Sequence, residues 1–307
     1  MRSYIARRLL MAIPTILIIG TLVFFMGHYA PADPVTAMLG DKGNPEDVAR
    51  LKKELGLDLP VGQQYVNFLK NALQGSFGTS LVYRGQTVGA IIARGLPRSA
   101  GIAAVAILLT TIVGIPMGVI AALYRDTWLD RLAMFMVLIG ISVPHFVLAF
   151  VAMYVVGFQL KWLPIAGWGT PAHAVLPIII LGIRPAAFIT RLTRSSMLEV
   201  LLQDYVRTAR AKGLAERKIL AKHALRNAVI PVVTALGTTF GRLITGSFFI
   251  ESIFAVPGIG RMSVNAIYMR DYPAIQAITV LIATVFVLMN LVVDICYSAI
   301  DPRIRYH

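Results

Sequence analysis

Arg184, Arg242 and His145 each interrupt a long apolar run, and Arg184 sits midway along its run if that run, which starts at Val175, continues past Thr190 to Thr193. If these runs cross a bilayer, a charge at that depth costs about 2.5–3.5 kcal/mol on insertion scales, so Arg184 must face a wet cavity or an acid. We read it as facing a cavity, where its guanidinium is a contact for a passing carboxylate. Arg242 either shares that role or forms a structural ion pair. His145 follows Pro144, whose ring frees a backbone carbonyl and kinks a helix toward a pathway. Asp294 reads as a helix-end salt bridge with Arg191 or Arg226. The other histidines, His28, His173, His223 and His307, fall near run ends or outside them, so no metal cluster is expected.

A second concentration of polar chemistry lies between the fourth and fifth runs. Thr193 to Leu220 reads as a helix, a break at Gly213, and a second helix that Leu214, Ile219 and Leu220 seat on another surface. Ala209, Ala211 and Gly213 leave room for a partner's backbone to approach, ringed by Arg207, Arg210, Lys212, Arg217 and Lys218. A protein interface fits this spacing better than anionic lipid head groups, which account for the charges alone. No Gly-x-x-x-x-Gly-Lys-Ser/Thr occurs anywhere, so the chain has no P-loop for nucleotide phosphates.

The elements that position these residues follow from composition. Of 307 residues, 57% are hydrophobic and only 14% charged, whereas a soluble domain carries about 25% charged residues. Mean hydropathy is +0.73. The solvent for most of the chain is therefore lipid. Six runs approach the roughly 20 residues a spanning helix needs: Leu9 to Tyr29, Ser99 to Leu123, Ala133 to Leu160, Val175 to Thr190, Asn227 to Ile250 and Ala274 to Ala299. The first is too long for a cleaved signal peptide and reads as an anchor. The net charge is +14. Arg2, Arg7, Arg8, Arg125, Arg131, the basic residues from Arg191 to Arg226, Arg303 and Arg305 all collect on one face, while acids offset the long first loop. Both termini are therefore expected in the cytoplasm. That first loop, Pro31 to about Arg98, carries two short amphipathic helices, Pro45–Leu55 and Gln63–Leu73, as a cap over the bundle or as a docking surface. The Val256–Gly260 turn reads as a re-entrant hairpin or an interfacial turn. The single cysteine, Cys296, rules out an internal disulfide.

Asp204-Tyr205-Val206-Arg207-Thr208-Ala209-Arg210-Ala211-Lys212-Gly213, followed by His223 to Val233, closely resembles the permeases of ABC importers in the dipeptide, oligopeptide and nickel branch. The resemblance covers the whole chain. It continues in Ala6-Arg7-Arg8-Leu9, Asp33-Pro34, Gly75 to Ser80, Thr190 to Met197, Phe254 to Arg261, Arg270-Asp271-Tyr272-Pro273 and Asp301-Pro302-Arg303. Where the wider superfamily has Glu-Ala-Ala before its glycine, this chain has Arg207-Thr208-Ala209.

The resemblance implies an all-α membrane protein of six transmembrane helices, with the type I ABC importer permease fold and an extracytoplasmic insert between helices 1 and 2. Residues 1–30 form the N-terminal end and first helix, 31–98 the insert, and 99–307 the permease core with its coupling loop at 194–226. It further implies a non-catalytic translocation subunit in a bacterial inner membrane. Asp204, Arg207, Ala209, Arg210, Gly213, Leu214, Glu216, Arg217 and Lys218 would meet one or two separate ATP-binding subunits, which hold the ATP and Mg; this chain holds no cofactor. Pro257, Gly258 and Gly260 would form an extracytoplasmic gate, and Arg184, Arg242 and His145 would line the pathway. The remaining implied partners are a homologous second permease forming a heterodimer, an extracytoplasmic substrate-binding protein and the lipid membrane, with no nucleic acid. The expected solute is a di- or oligopeptide. Glutathione, opines, nickel chelates and oligosaccharides are carried by similar permeases, and a stand-alone secondary transporter or a membrane-embedded lipid enzyme stands further off.

Overall fold

The computed structural model describes residues 2–29, 35, 44–54, 56–83 and 85–300. The Asp33-Pro34 and Asp301-Pro302-Arg303 motifs, and the side chains of Asp294 and Cys296, lie outside the described residues. The chain is helical almost throughout: α1 (Arg2–His28), α2 (Pro45–Glu54), α3 (Val61–Leu73), α4 (Val88–Leu123), α5 (Trp128–Ser142), α6 (His145–Ala152), α7 (Pro171–Leu201), α8 (Asp204–Ala211), α9 (Arg226–Gly246), α10 (Phe248–Ile253), α11 (Ile259–Tyr268) and α12 (Tyr272–Ile300). Among the described residues, five helices are long and apolar enough to cross a membrane, and a sixth crossing arises if α5 and its continuation count as one.

Two boundaries differ from the sequence reading. The second run was expected to start at Ser99, but α4 starts at Val88 and is 36 residues long. Arg94, Pro97 and Arg98 end the apolar stretch without ending the helix, and at 1.5 Å per residue the whole measures about 54 Å, well beyond a hydrocarbon core of about 30 Å. Thr87 caps its start by accepting the Ala90 N–H at 3.3 Å. The third run was expected to be one kinked span from Ala133 to Leu160. Instead α5 and α6 meet at 103°. Val143 (φ −79, ψ 126) and Pro144 (φ −60, ψ 142) are both extended, because proline pushes its predecessor out of the helical region, and two extended residues turn a chain rather than bend it. Beyond the break, α6 runs on as the π-helical segment Met153–Gln159.

The chain divides into two compact units. One comprises residues 100–256 together with 289 onward, and its central element is α7, packed against α5, α6 and α9. Ile102 and Ala106 of α4, Ala149 of α6, Leu176 and Ile180 of α7 and Leu243 of α9 share its core. Lipid is as apolar as leucine, so close backbone approach holds such helices together. A Cβ on Gly140 would lie 2.9 Å from Ala187 Cβ, and one on Gly118 would lie 2.5 Å from Thr193 Cβ and 2.6 Å from the Thr190 carbonyl.

The other unit comprises residues 2–99 and 257–288. Its first helix lies on α3, where the Thr21 and Tyr65 hydroxyls are 2.7 Å apart and the Phe24 ring packs 5.3 Å from Tyr65 and 5.5 Å from Phe68. In the same unit Asp271 is fully buried. Its carboxylate accepts the Ala274 N–H at 3.3 Å, capping α12, and also the Ser80 hydroxyl and the Leu81 and Val82 N–H groups, the latter two at 3.2 and 3.4 Å.

Candidate functional site

The polar loop after α7 is built on a packed base. Gln203 is extended and lets α8 start at Asp204, whose carboxylate suits the positive end of a helix. The turn at its other end is a Schellman motif: Gly213 has φ +73, its N–H donates to the Arg210 carbonyl at 2.9 Å, and the Leu214 N–H donates to the Ala209 carbonyl at 3.3 Å. Glu216–Lys218 then begins a helix that passes through π-helical Ile219–Leu225 into α9. Arg210 crosses the turn to Glu216, donating to both carboxylate oxygens at 3.2 and 2.6 Å, and these bonds push the Arg210 guanidinium above its usual range.

Three expectations for this loop need correction. Ala209 does not offer its side chain to a partner: with Val206 and Ile219 it is buried in the chain's own core, against Val200, Leu201 and Leu214. Leu214 and Ile219 likewise seat the second helix on α8 itself, because a short amphipathic helix outside lipid must bury its apolar stripe somewhere. Gly213 is required for its backbone conformation and not for close approach, since an added Cβ would meet nothing within 4 Å. The exposed side chains of the loop include Asp204, Tyr205, Arg207, Arg210, Ala211, Lys212, Glu216, Arg217 and Lys218, with Leu202 at the end of α7. Asn227 at the start of α9 donates to the Tyr205 hydroxyl at 3.1 Å, tying this face to the next long helix.

The mid-helix residues separate. Arg184, on α7, is exposed and makes no ion pair or hydrogen bond among the described residues. His145 stands at the first position of α6, just past the 103° break, with Nε2 buried and unpartnered and within electrostatic reach of Arg184. Arg242 is exposed on α9 with Nη2 3.4 Å from the Thr239 hydroxyl. Of the turn residues, Gly258 and Gly260 are buried and Pro257 is half-buried. Arg98 Nη1 donates to the Pro257 carbonyl at 3.1 Å, and the Ile259 N–H donates to Ser99 Oγ at 2.8 Å.

Sequence reasoning missed Arg98 and Ser99 as supports of that turn, and it missed Asp130, which binds Arg194. An acid two residues into a helix that begins an apolar run was the available signal for Asp130. For Asp271 it was the position just ahead of Tyr272-Pro273, an N-cap signature.

Five helices long and apolar enough to cross a membrane, with a fixed polar loop between α7 and α9, define a multi-pass membrane protein among the described residues. Residues 114–306 match the family described as binding-protein-dependent transport system inner membrane component, and residues 1–88 match its N-terminal family. The chain belongs to that family and is an ABC importer permease subunit. It is 42% identical over 306 residues, 100% of both chains, to the glutathione transport system permease protein GsiC of Salmonella typhimurium, and equally to that of Escherichia coli K12. Among solved structures, it resembles the inward-facing MetNI methionine ABC transporter with a TM-score of 0.58 and 22% identity, covering 69% of this chain and 96% of that one. That likeness establishes the type I importer permease fold.

Proposed function

We propose that the chain is the translocation subunit of an ATP-driven importer that carries short peptides, delivered by a substrate-binding protein, across a bacterial inner membrane by alternating access. The observation that carries the solute class is Arg184, exposed at mid-helix. A charge at that depth cannot rest against lipid, so its face of α7 must line a wet pathway or meet a counter-charge. A di- or oligopeptide supplies one in its terminal carboxylate. Glutathione is favoured as a specific case by the 42%-identical relatives named for it, and it too is a small peptide bearing carboxylates.

In this reading residues 1–30, 31–98 and 99–307 are the N-terminal helix, an extracytoplasmic insert and the permease core, and both termini are cytoplasmic. The exposed face of α8 and of Arg217 and Lys218 docks on separate ATPase subunits, which hold the ATP and Mg, while this chain itself catalyses nothing. A second, homologous permease completes the pathway, Arg242 lines it with Arg184 and His145, and Pro257, Gly258 and Gly260 belong to its extracytoplasmic gate. ATP and the loaded binding protein bias the same two-state bundle toward the outward form.

The test is uptake by the complete assembly in proteoliposomes, comparing glutathione, a dipeptide and their amidated forms. Preference for free carboxylates that Arg184→Gln abolishes supports the reading, and uptake indifferent to both changes sinks it.

A further inference from the structure

At the end of the bundle that carries α8, Asp130 is gripped by Arg194. The Arg194 Nε donates to Oδ1 and Nη2 to Oδ2, both at 2.7 Å, and the Asp126 N–H donates to Oδ2 at 3.0 Å. The Asp130 side chain is 5% exposed. Two parallel bonds to one planar fork fix distance and angle together. Such a pair is a poor device for stability, because apolar side chains of like volume commonly serve as well or better. Its value lies in register, and here it sets the register of two particular helices: Asp130 is in the first turn of α5 and Arg194 lies about two turns before the end of α7.

The neighbouring contacts give that register a direction. One residue before Arg194, Thr193 fills the space over Gly118, so the same turn of α7 is closed by α4 as well. Beyond it, Val200 and Leu201 pack on Val206 and Ala209, so α8 is mounted on the end of α7. At its far end α5 reaches the 103° break and His145.

We infer that Arg194 and Asp130 are positioning residues for transport, transmitting displacement of the α8 loop to α5, and so to the break before His145, instead of letting the last turns of α7 absorb it. This rests on the reading of α8 as the ATPase-docking helix. A push on α8 moves α7 at its end, the fork carries the push to α5, and the two extended residues Val143 and Pro144 form the joint at which α5 turns against α6.

The test uses the complete assembly in proteoliposomes, with Asp130→Asn, Arg194→Lys and the apolar pair D130L/R194M, and with Arg217→Cys as a cross-linking site toward the ATPase subunits. Relative to the Arg217→Cys assembly with Asp130 and Arg194 intact, equal cross-linking and basal hydrolysis are expected, with stimulation by the loaded binding protein and solute imported per ATP each reduced at least about fivefold. The apolar pair is expected to assemble as well as the unaltered chain and still show that loss. Cross-linking present with normal coupling in the assembled variants overturns the inference and leaves the docking reading standing. No cross-link in the Arg217→Cys assembly with Asp130 and Arg194 intact overturns the docking reading and the inference with it. Failure of all three variants to assemble assigns the pair to folding and also overturns the inference.

Discussion

Arg210 and Glu216 face each other across the Gly213 turn with two hydrogen bonds, of 3.2 and 2.6 Å. Both side chains are about half exposed, so the pair contributes at most about 1 kcal/mol to folding. Its effect is on geometry: it sets the angle at which α8 meets the helix returning to α9. Glu216→Gln is expected to leave the melting temperature of the purified assembly nearly unchanged and to lower uptake per ATP hydrolysed. A clear drop in melting temperature with coupling intact would contradict this.

Gly213 tests the same turn through the backbone. With φ +73 and open space around it, a side chain there costs about 1–2 kcal/mol of left-handed strain, which asparagine tolerates better than others. Coupled uptake should fall in the order Gly213, Gly213→Asn, Gly213→Ala, Gly213→Val. If the valine variant couples as well as the unaltered protein, docking does not depend on the shape of this turn.

If Arg184 lines the pathway as proposed, Arg184→Gln removes a charged hydrogen-bond donor from it. Such bonds are worth about 1.5–3 kcal/mol, so uptake of a peptide with a free carboxylate should drop about tenfold or more while basal ATP hydrolysis is unaltered. Uptake of the amidated peptide should change little. Equal loss for both solutes would point to a structural role for the arginine.

Asp271→Asn replaces an acceptor-only carboxylate with an amide whose own N–H groups face the donors at Ser80, Leu81, Val82 and Ala274. A loss of about 1–3 kcal/mol is expected from the unmet donors. Amide hydrogen exchange at Leu81 and Val82 should quicken before that of α4. Unchanged protection at those two amides would show that the loop is held by other contacts.

Composition and run length alone fix the helical, membrane-embedded character of the chain, because too few charged residues exist to cover a water-facing surface. The two short helices beginning near Pro45 and Gln63 were legible from their apolar stripes, and the break in the 194–226 segment was legible from Gly213, since these signals are local. The resemblance carried by Asp204 to Gly213 led to the family. Pairings were not legible. Residue types cannot say that Asp130 meets Arg194, that Arg98 and Ser99 hold the turn at Pro257 and Ile259, or that Asp271 reaches back to Ser80, because each joins positions brought together only by helix packing. Nor does an alanine at helical spacing announce which side it faces: Ala209 was available to a partner by sequence and is buried against Ile219 in the fold. Likewise Pro144 promised a kink, and whether the chain bends or turns depended on Val143 also leaving the helix, with α7 present to receive the separated α6.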